Sequence, residues 1–282
     1  MKALEGAAVL DGPAKAIGKR VRGTLSPGVV KDALSGTWLG HAVHPMLTDV
    51  VIGSFTSATL LDLIGGDETG RARERLIAVG IAAYGPTALT GVNDWADTEP
   101  ADDGVRRVGL VHAATNAIAL SLQLVSLAAR RRGDRRTGAV LGAAGTAVLG
   151  AGGYLGGHLS FAKGVGPDQT VFDPGPQEWT AAGDTVELRD GESLRLVVDD
   201  TPVMVLRRGD RLRAIHDRCS HRGCPLSDGD VDGEMVECNC HGSRFSLTDG
   251  AVLRGPATAP QPAFDVRERN GRIELRRSST AP

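Results

Sequence analysis

The sequence predicts a multidomain α + β protein. An N-terminal four-helix bundle of membrane-spanning length precedes a C-terminal all-β domain. Three observations carry this reading. Uncharged runs occupy Leu76–Asn93, Val108–Ala129 and Thr137–Ala162, of eighteen, twenty-two and twenty-six residues with His counted as neutral. Near Gly166 the composition changes from small and apolar to a mixture of charged residues, Val and turn residues. All four cysteines lie in one window of the second part, between Cys219 and Cys240.

The 282-residue chain then divides into five parts. These are an N-terminal juxtamembrane segment (1–40), a four-helix membrane domain (41–165), a linker (166–177), a β domain (178–277) and a tail (278–282). The linker falls in GVGPDQTVFDPGP, whose Gly and Pro content marks a boundary. A net charge of −2 does not suggest a nucleic-acid partner. No secretory leader pattern is read at the N-terminus, where Lys2 is followed by Glu5 without a compact apolar core.

A bilayer core needs about 20 apolar residues per helix, which the three runs meet. Met46–Ile64 is a fourth candidate span, carrying Asp49 and Asp62 near its ends. Gly, Ala, Ser and Thr along these segments permit close helix packing. A mean hydropathy of −0.10 leaves a soluble Ala-rich bundle as the alternative. Four spans put Arg71, Arg73, Arg75, Arg130, Arg131, Arg132, Arg135 and Arg136 on one side. The opposite loop, 94–105, holds Asp94, Asp97, Glu99, Asp102 and Asp103. The positive-inside tendency places the arginines in the cytoplasm, although the basic N-terminal forty residues fall on the acidic side. His44 is expected just before the first helix, Asp94 at the end of the second, His112 near the start of the third and His158 near the end of the fourth. All then fall toward one face. His44, His112 and His158 are candidates for a haem b or quinone site, or are helix-end groups paired with acids.

The stretches GTWLGHAVHPMLTDVVIG (36–53), GLVHAATN (109–116) and GGYLGGHLSF (152–161) resemble a family of bacterial integral-membrane domains. That resemblance covers about the first 165 residues. It implies membrane residence and fusion to redox domains.

In the second part, CSHRGC (219–224) and CNCHGS (238–243) place Cys219 and His221, then Cys238 and His241, in paired clusters. Two thiolates and two imidazoles invite a metal. A Cys₂His₂ zinc site is the first alternative. Each half, however, mixes one Cys with one His and continues into Gly, which makes a tight loop. The flanks read as short strands at 185–188, 193–198, 203–206, 212–216, 235–238, 263–267 and 272–275. A cluster of two irons and two sulfides, held by two cysteines on one iron and two histidines on the other, fits better.

With both boxes, the thirteen residues between them and the later Gly255-Pro256 turn, this part resembles Rieske [2Fe-2S] proteins over roughly 178–277. The resemblance implies that Cys219 and Cys238 hold the buried iron. His221 and His241 would hold the outer iron, with their second ring nitrogens near solvent. It also implies a Cys224–Cys240 disulfide, as in the quinol-oxidising subclass; two unpaired thiols are the alternative. Two positions depart from that subclass. Arg222 stands where an apolar residue follows the first histidine. Phe245 stands where a Tyr donates a hydrogen bond near the cluster, while the companion donor Ser243 is present. Loss of a donor to electron-rich sulfur predicts a lower midpoint potential than in that subclass. Pro256 would sit in a loop covering the cluster. His216 reads as a surface residue at a strand end. The Arg207-Arg208 and Arg276-Arg277 pairs read as solvated strand ends.

These features predict a redox carrier or oxidoreductase subunit rather than a stand-alone enzyme. The leading reading is a multi-pass protein of the inner cell membrane, in contact with lipid, whose Rieske domain lies on the extracytoplasmic side and serves a redox chain. A quinol-oxidising subunit is the second reading, and a ferredoxin-type donor to an oxygenase the third. The partner is a redox protein or a quinone.

Overall fold

The computed structural model describes residues 1–184 and 188–279, so most of the strand expected at 185–188, and residues 280–282 of the tail, lie outside it. The chain forms two compact units, Met1–Leu25 with Val43–Val165 and Ser26–Ala42 with Gly166–Pro282. The chain-order elements of the first part are α1 (Lys2–Glu5), α2 (Asp11–Thr24), α3 (Val29–Ser35), α4 (Val43–Ile64), α5 (Gly70–Thr98), α6 (Asp103–Arg131) and α7 (Arg135–Gly157). A short π-helical turn, His158–Ala162, prolongs α7. All but α3 belong to the first unit.

Four helical stretches, Val43–Ile64, Asp67–Thr98, Asp103–Arg131 and Arg135–Ala162, are long and apolar enough to cross a membrane. Asp102 and Asp134 start α6 and α7 by accepting the Val105 and Thr137 amides at 2.8 and 3.1 Å, which satisfies first-turn donors. The buried centre of the bundle collects Val51, Phe55, Ala58, Ile77, Ala119, Leu127 and Leu149. The Phe55 ring lies so close to Gly80 that a Cβ there would come within 2.4 Å of it. Small residues thus let helix backbones approach.

The hairpins α4–α5 and α6–α7 repeat one device. His44 Nδ1 donates to the Thr87 carbonyl at 2.9 Å, and His112 Nδ1 donates to the Gly152 carbonyl at 2.9 Å. The glycine four residues further on, Gly91 or Gly156, faces the ring: an added Cβ would stand 2.6 or 3.1 Å from Cε1. His44 therefore lies inside α4, not just before it, and His112 lies further into α6 than its first residues. The α4 helix already starts at Val43 and α6 at Asp103, while α5 runs past Asp94 to Thr98. His158 Nε2 pairs instead with Glu5 Oε1 at 2.8 Å.

Charge counting also overstated the acidic loop. Glu99 is 1% exposed and lies between Arg22 (2.7 Å) and Arg106 (2.9 Å). Arg107 holds Asp11 at 2.7 Å, and this guanidinium's hydrogen bond keeps the Asp11 carboxyl at about 2, below its ordinary value of 3.8. At the other end Asp62 binds Arg130 at 2.5 Å and Arg73 at 3.1 Å. The N-terminal forty residues, expected as one juxtamembrane segment, are split: α1 and α2 join the helical unit, and α3 joins the β unit.

The β unit has two antiparallel sheets. The larger is ordered β1 (Thr180–Asp184), β10 (Arg272–Arg277), β9 (Ala263–Arg269), β4 (Arg211–His216), β3 (Thr201–Arg208), β2 (Ser193–Val198). The smaller is a meander of β5 (Asp230–Asp232), β6 (Met235–Glu237), β7 (Arg244–Ser246) and β8 (Val252–Arg254). Alternation along β3 divides the core. Val203 and Val205 join Val198, Ala214, Phe264, Ile273 and Leu275 on one face. Met204 and Leu206 face the other way, toward Cys219, Cys238, Leu226, Val236, Phe245 and Leu247. The expected linker is not a free tether. Asp173 hydrogen-bonds Thr201, the Gln169 amide donates to the Ser220 carbonyl at 3.0 Å, and the Arg277 amide donates to Pro176 at 2.7 Å. The arginine pairs are less solvated than expected: Arg207 bonds Glu268 at 3.0 Å, while Arg276 bonds Asp265 at 2.9 Å and, with Arg267, stacks on Trp179.

The Asp62–Arg130 pair gives a stability test. Asp62→Asn leaves two arginines without their counter-charge at a buried site, where breaking an ion pair costs about 3–5 kcal/mol. The expected outcome is a loss of that size in unfolding measurements on the detergent-solubilised protein.

Candidate metal centre

The two boxes fold into nearly identical loops. In the first, the Cys219 amide donates to the Cys224 carbonyl at 2.8 Å and the Gly223 amide to the Cys219 carbonyl at 2.8 Å. In the second, the Cys238 amide donates to the Ser243 carbonyl at 2.8 Å and the Gly242 amide to the Cys238 carbonyl at 2.9 Å. The glycine at the fifth position of each box has a positive φ, 79° at Gly223 and 78° at Gly242. Only glycine enters that region without steric cost, which is why both boxes carry it.

This curl aims amides at sulfur. The backbone N–H groups of His221 and Arg222 donate to the Cys219 sulfur, and those of Cys240 and His241 to the Cys238 sulfur. Cys219 and Cys238 are buried and not disulfide-bonded. The hydrogen bond between their sulfurs raises the Cys219 thiol and lowers Cys238 to about 7 from an ordinary 9.0. A buried thiol held this low is prepared to give a thiolate, the form that ligates metals. The rings of His221 and His241 lie edge to face, with centroids 5.1 Å apart. Burial pushes the His221 imidazole well below its ordinary 6.5, keeping it neutral, as a ligand must be. His221 and His241 are half-buried rather than open to solvent. Two thiols and two imidazoles at one end of a β unit fit the donor set of a [2Fe-2S] cluster held by two cysteines and two histidines.

Cys224 and Cys240 form a disulfide across the two loops. Their sulfurs lie within 4.8 Å of that of Cys238, so the bond closes directly over one ligand loop. Ser243 Oγ accepts the Ala257 amide at 3.0 Å, tying the Pro256 loop to the second box. Phe245 is fully buried among the core residues beside both cysteines and offers no hydrogen-bond donor. Arg222 is half-buried, and its charge acts directly on His221.

Three supporting groups escaped the sequence reading. Gln261, 1% exposed between two prolines, accepts the Ser220 amide at 2.7 Å and donates to the carbonyls of His216 (2.8 Å) and Arg218 (2.7 Å). Asp217, also 1% exposed, accepts the Ser227 amide at 2.7 Å and pairs with Arg195. The third is the segment 26–42: Thr37 Oγ1 donates to the Ala257 carbonyl at 3.1 Å. A buried Gln flanked by prolines was a readable signal; the partnership of residues 220 apart was not. His216, expected at the surface, is fully buried. Its Nδ1 accepts the Arg218 amide at 3.0 Å, leaving Nε2–H 3.2 Å from Asp173. The reason is that the segment after Gly166 folds over the end of β4 instead of leaving it open.

The described residues match two family models. Residues 178–265 match the Rieske [2Fe-2S] domain, and residues 40–169 match a Predicted membrane protein family (DUF2231). Among curated proteins, the anthranilate 1,2-dioxygenase ferredoxin subunit of Burkholderia cepacia is 35% identical over 98 residues, 35% of this chain and 91% of that protein. Ferredoxin CarAc of Metapseudomonas resinovorans is 36% identical over 76 residues, 27% of this chain and 71% of that protein. The 3-phenylpropionate/cinnamic acid dioxygenase ferredoxin subunit of Escherichia coli (strain K12) is 38% identical over 89 residues, 31% of this chain and 82% of that protein. Each match spans about a third of this chain or less.

Two outcomes are expected. The disulfide spans a sequence separation of 16, for which loop-closure entropy gives about 3 kcal/mol. Replacing Cys224 and Cys240 together by Ser should lower the stability of the β unit by about that amount in denaturant titrations. His216 supplies a pH test. Burial is the main cause of its lowered pKa. The unfolded chain therefore takes up a proton below about 6.5 that the folded chain resists. Stability should be full above about pH 6.5 and fall as pH drops toward the lower folded value. His216→Gln should flatten that part of the melting-temperature profile.

Proposed function

The chain belongs to the Rieske [2Fe-2S] family, and from that premise we propose that it is a one-electron carrier held at a membrane by its four long helices. The observation that carries the reading is the pair of matching loops. They bring two buried cysteine sulfurs and two adjacent imidazoles together and aim four backbone amides at the sulfurs.

Cys219 and Cys238 would hold one iron, and His221 and His241 the other. The cluster supplies one-electron chemistry, in a potential range of roughly −150 to +300 mV for such mixed ligation. The chain's own groups do the rest. The amides of His221, Arg222, Cys240 and His241 stabilise negative charge on sulfur. The Cys224–Cys240 bond and the Ser243–Ala257 hydrogen bond keep the loops in register. Phe245, without a hydroxyl, leaves the sulfurs one donor short of the quinol-oxidising pattern and favours a lower potential.

The disulfide favours an oxidising compartment for the β unit, hence the extracytoplasmic side of the inner membrane, with the arginine-rich ends of α4–α7 in the cytoplasm. A second reading has its own support. The three relatives are named as ferredoxins, two of them as dioxygenase subunits, which favours donation of electrons to an oxygenase. Quinol oxidation is less favoured, because Arg222 and Phe245 depart from that pattern. A haem or quinone site at His44 and His112 is part of this reading of the bundle: with Nδ1 of each ring donating to a carbonyl, Nε2 is the other ring nitrogen, and at His112 it lies 3.2 Å from Asn116 Nδ2. His158, paired with Glu5, is the weakest of the three candidates.

The test is an EPR-monitored redox titration of the purified chain in detergent. The expected result is a Rieske-type signal in the reduced protein, lost together with bound iron in Cys238→Ser and His241→Ala. A high midpoint that falls with pH would favour the quinol-linked reading. A low midpoint, flat around neutral pH, would favour the ferredoxin-type donor. Zinc in place of iron, with no reduced-state signal, would overturn both.

A further inference from the structure

The metal-centre end of the β unit carries a piece of chain from far away in sequence. Residues 26–42 precede the first long helix, yet they belong to the same compact unit as the β sheets. This strap runs through Pro27, the helix α3, a left-handed turn at Gly36 (φ 89°) and the short turn Thr37–Leu39.

It touches two of the loops around the centre. Pro27 lies against the second box: a Cβ on Gly242 would stand 2.7 Å from its Cγ. Thr37 and Asp32 lie against the Pro256 loop: a Cβ on Gly255 would meet Thr37 Oγ1 at 2.1 Å and Asp32 Oδ1 at 2.8 Å. The Thr37 hydroxyl then closes on the Ala257 carbonyl at 3.1 Å. Bare glycines at 242 and 255 are what let the strap sit so low.

Between these anchors stands Lys31. Lys31 and Ser35 are spaced by four, which aligns them along one face of α3. Lys31 is 3% exposed and Ser35 is 4% exposed. Lysine is almost never buried to this degree unless its charge is paired. That charge is felt at His221, as is that of Arg222. Both cations therefore act on the imidazole at the outer end of the first box. An iron–sulfur centre gains one negative charge on reduction, and a fixed cation nearby stabilises the reduced form over the oxidised one. Burial strengthens the effect, because screening by salt weakens away from solvent.

We propose that the strap is a fixed cap on the ligand loops, and that Lys31 is its positioning residue, a positive charge that raises the midpoint potential of the centre. This rests on the iron–sulfur reading above. It assigns to the N-terminal segment an electrostatic role in the redox site.

The experiment uses the full chain in detergent and compares the unmodified protein with Lys31→Met and Lys31→Arg. Iron content, EPR g-values and midpoint potential are measured on each. The expected result is unchanged iron and g-values throughout, a midpoint shifted to lower potential in Lys31→Met, and one close to the unmodified value in Lys31→Arg. An iron-loaded Lys31→Met protein with an unmoved midpoint overturns the proposal. Where Lys31→Met does not assemble, Asp32→Asn gives the opposite test. It removes an anion from the same helical turn beside Gly255 and should shift the midpoint upward; no shift overturns the proposal. Absence of a Rieske signal from the unmodified chain overturns the iron–sulfur reading and this proposal with it. A normal signal with unmoved midpoints overturns this proposal alone.

Discussion

Two short ring closures, Cys219 N–H on the Cys224 carbonyl and Cys238 N–H on the Ser243 carbonyl, decide where every other group at the metal centre has to be. Each closure turns one amide inward at the start of a box and leaves the next amides facing sulfur. The conformation exists only because the fifth residue of each box can adopt a positive φ. From there the supports follow. A disulfide joins the loops, a serine hydroxyl binds the third loop, and the Gln261 side chain satisfies one amide and two carbonyls behind the first box. A buried loop with unmet amides would be costly. Here the side chains that meet them also immobilise the cysteines and histidines of the two boxes.

The helical unit obeys a different constraint. Its long helices have little apolar contrast with lipid, so small residues and polar pairs must specify their packing. Histidine on a neighbouring carbonyl, repeated in both hairpins, is one such device. Clustered ion pairs are the other, Asp62 with Arg130 and Arg73 at one end and Glu99 with Arg22 and Arg106 at the other. Charges near helix ends therefore serve packing as well as orientation, which makes simple counts of basic and acidic residues an unsafe guide to sidedness.

Much of this was legible in the sequence, for physical reasons that differ by region. Uncharged runs located three long helices, because hydrocarbon tolerates no other composition. The cysteine boxes stood out because four soft or titratable ligands at fixed spacing have few other uses. The short strands β5, β7 and β8 went unread: three residues each, held by a meander and not by their own pattern. His216 was misplaced because alternation along β4 does not reveal what packs over the strand's end. Residues 26–40 were read as part of a juxtamembrane segment, apart from the β domain. Nothing local in Pro27, Lys31 or Thr37 tells of loops beyond position 240, since long-range contacts leave no periodic trace.

That separation has a consequence in time. The bond from Thr37 to Ala257 joins residues 220 apart. A chain made at about 5–20 residues per second takes roughly 10–45 s to cover that distance. The strap leaves the ribosome first and waits through the synthesis of the whole bundle before its binding surface exists. The two cysteine loops, by contrast, form from neighbouring residues as soon as they emerge. Assembly at this end therefore runs from local to distant, because closing so large a loop is entropically the slowest contact to make. The two cysteine loops therefore have an interval in which they are shaped but uncovered.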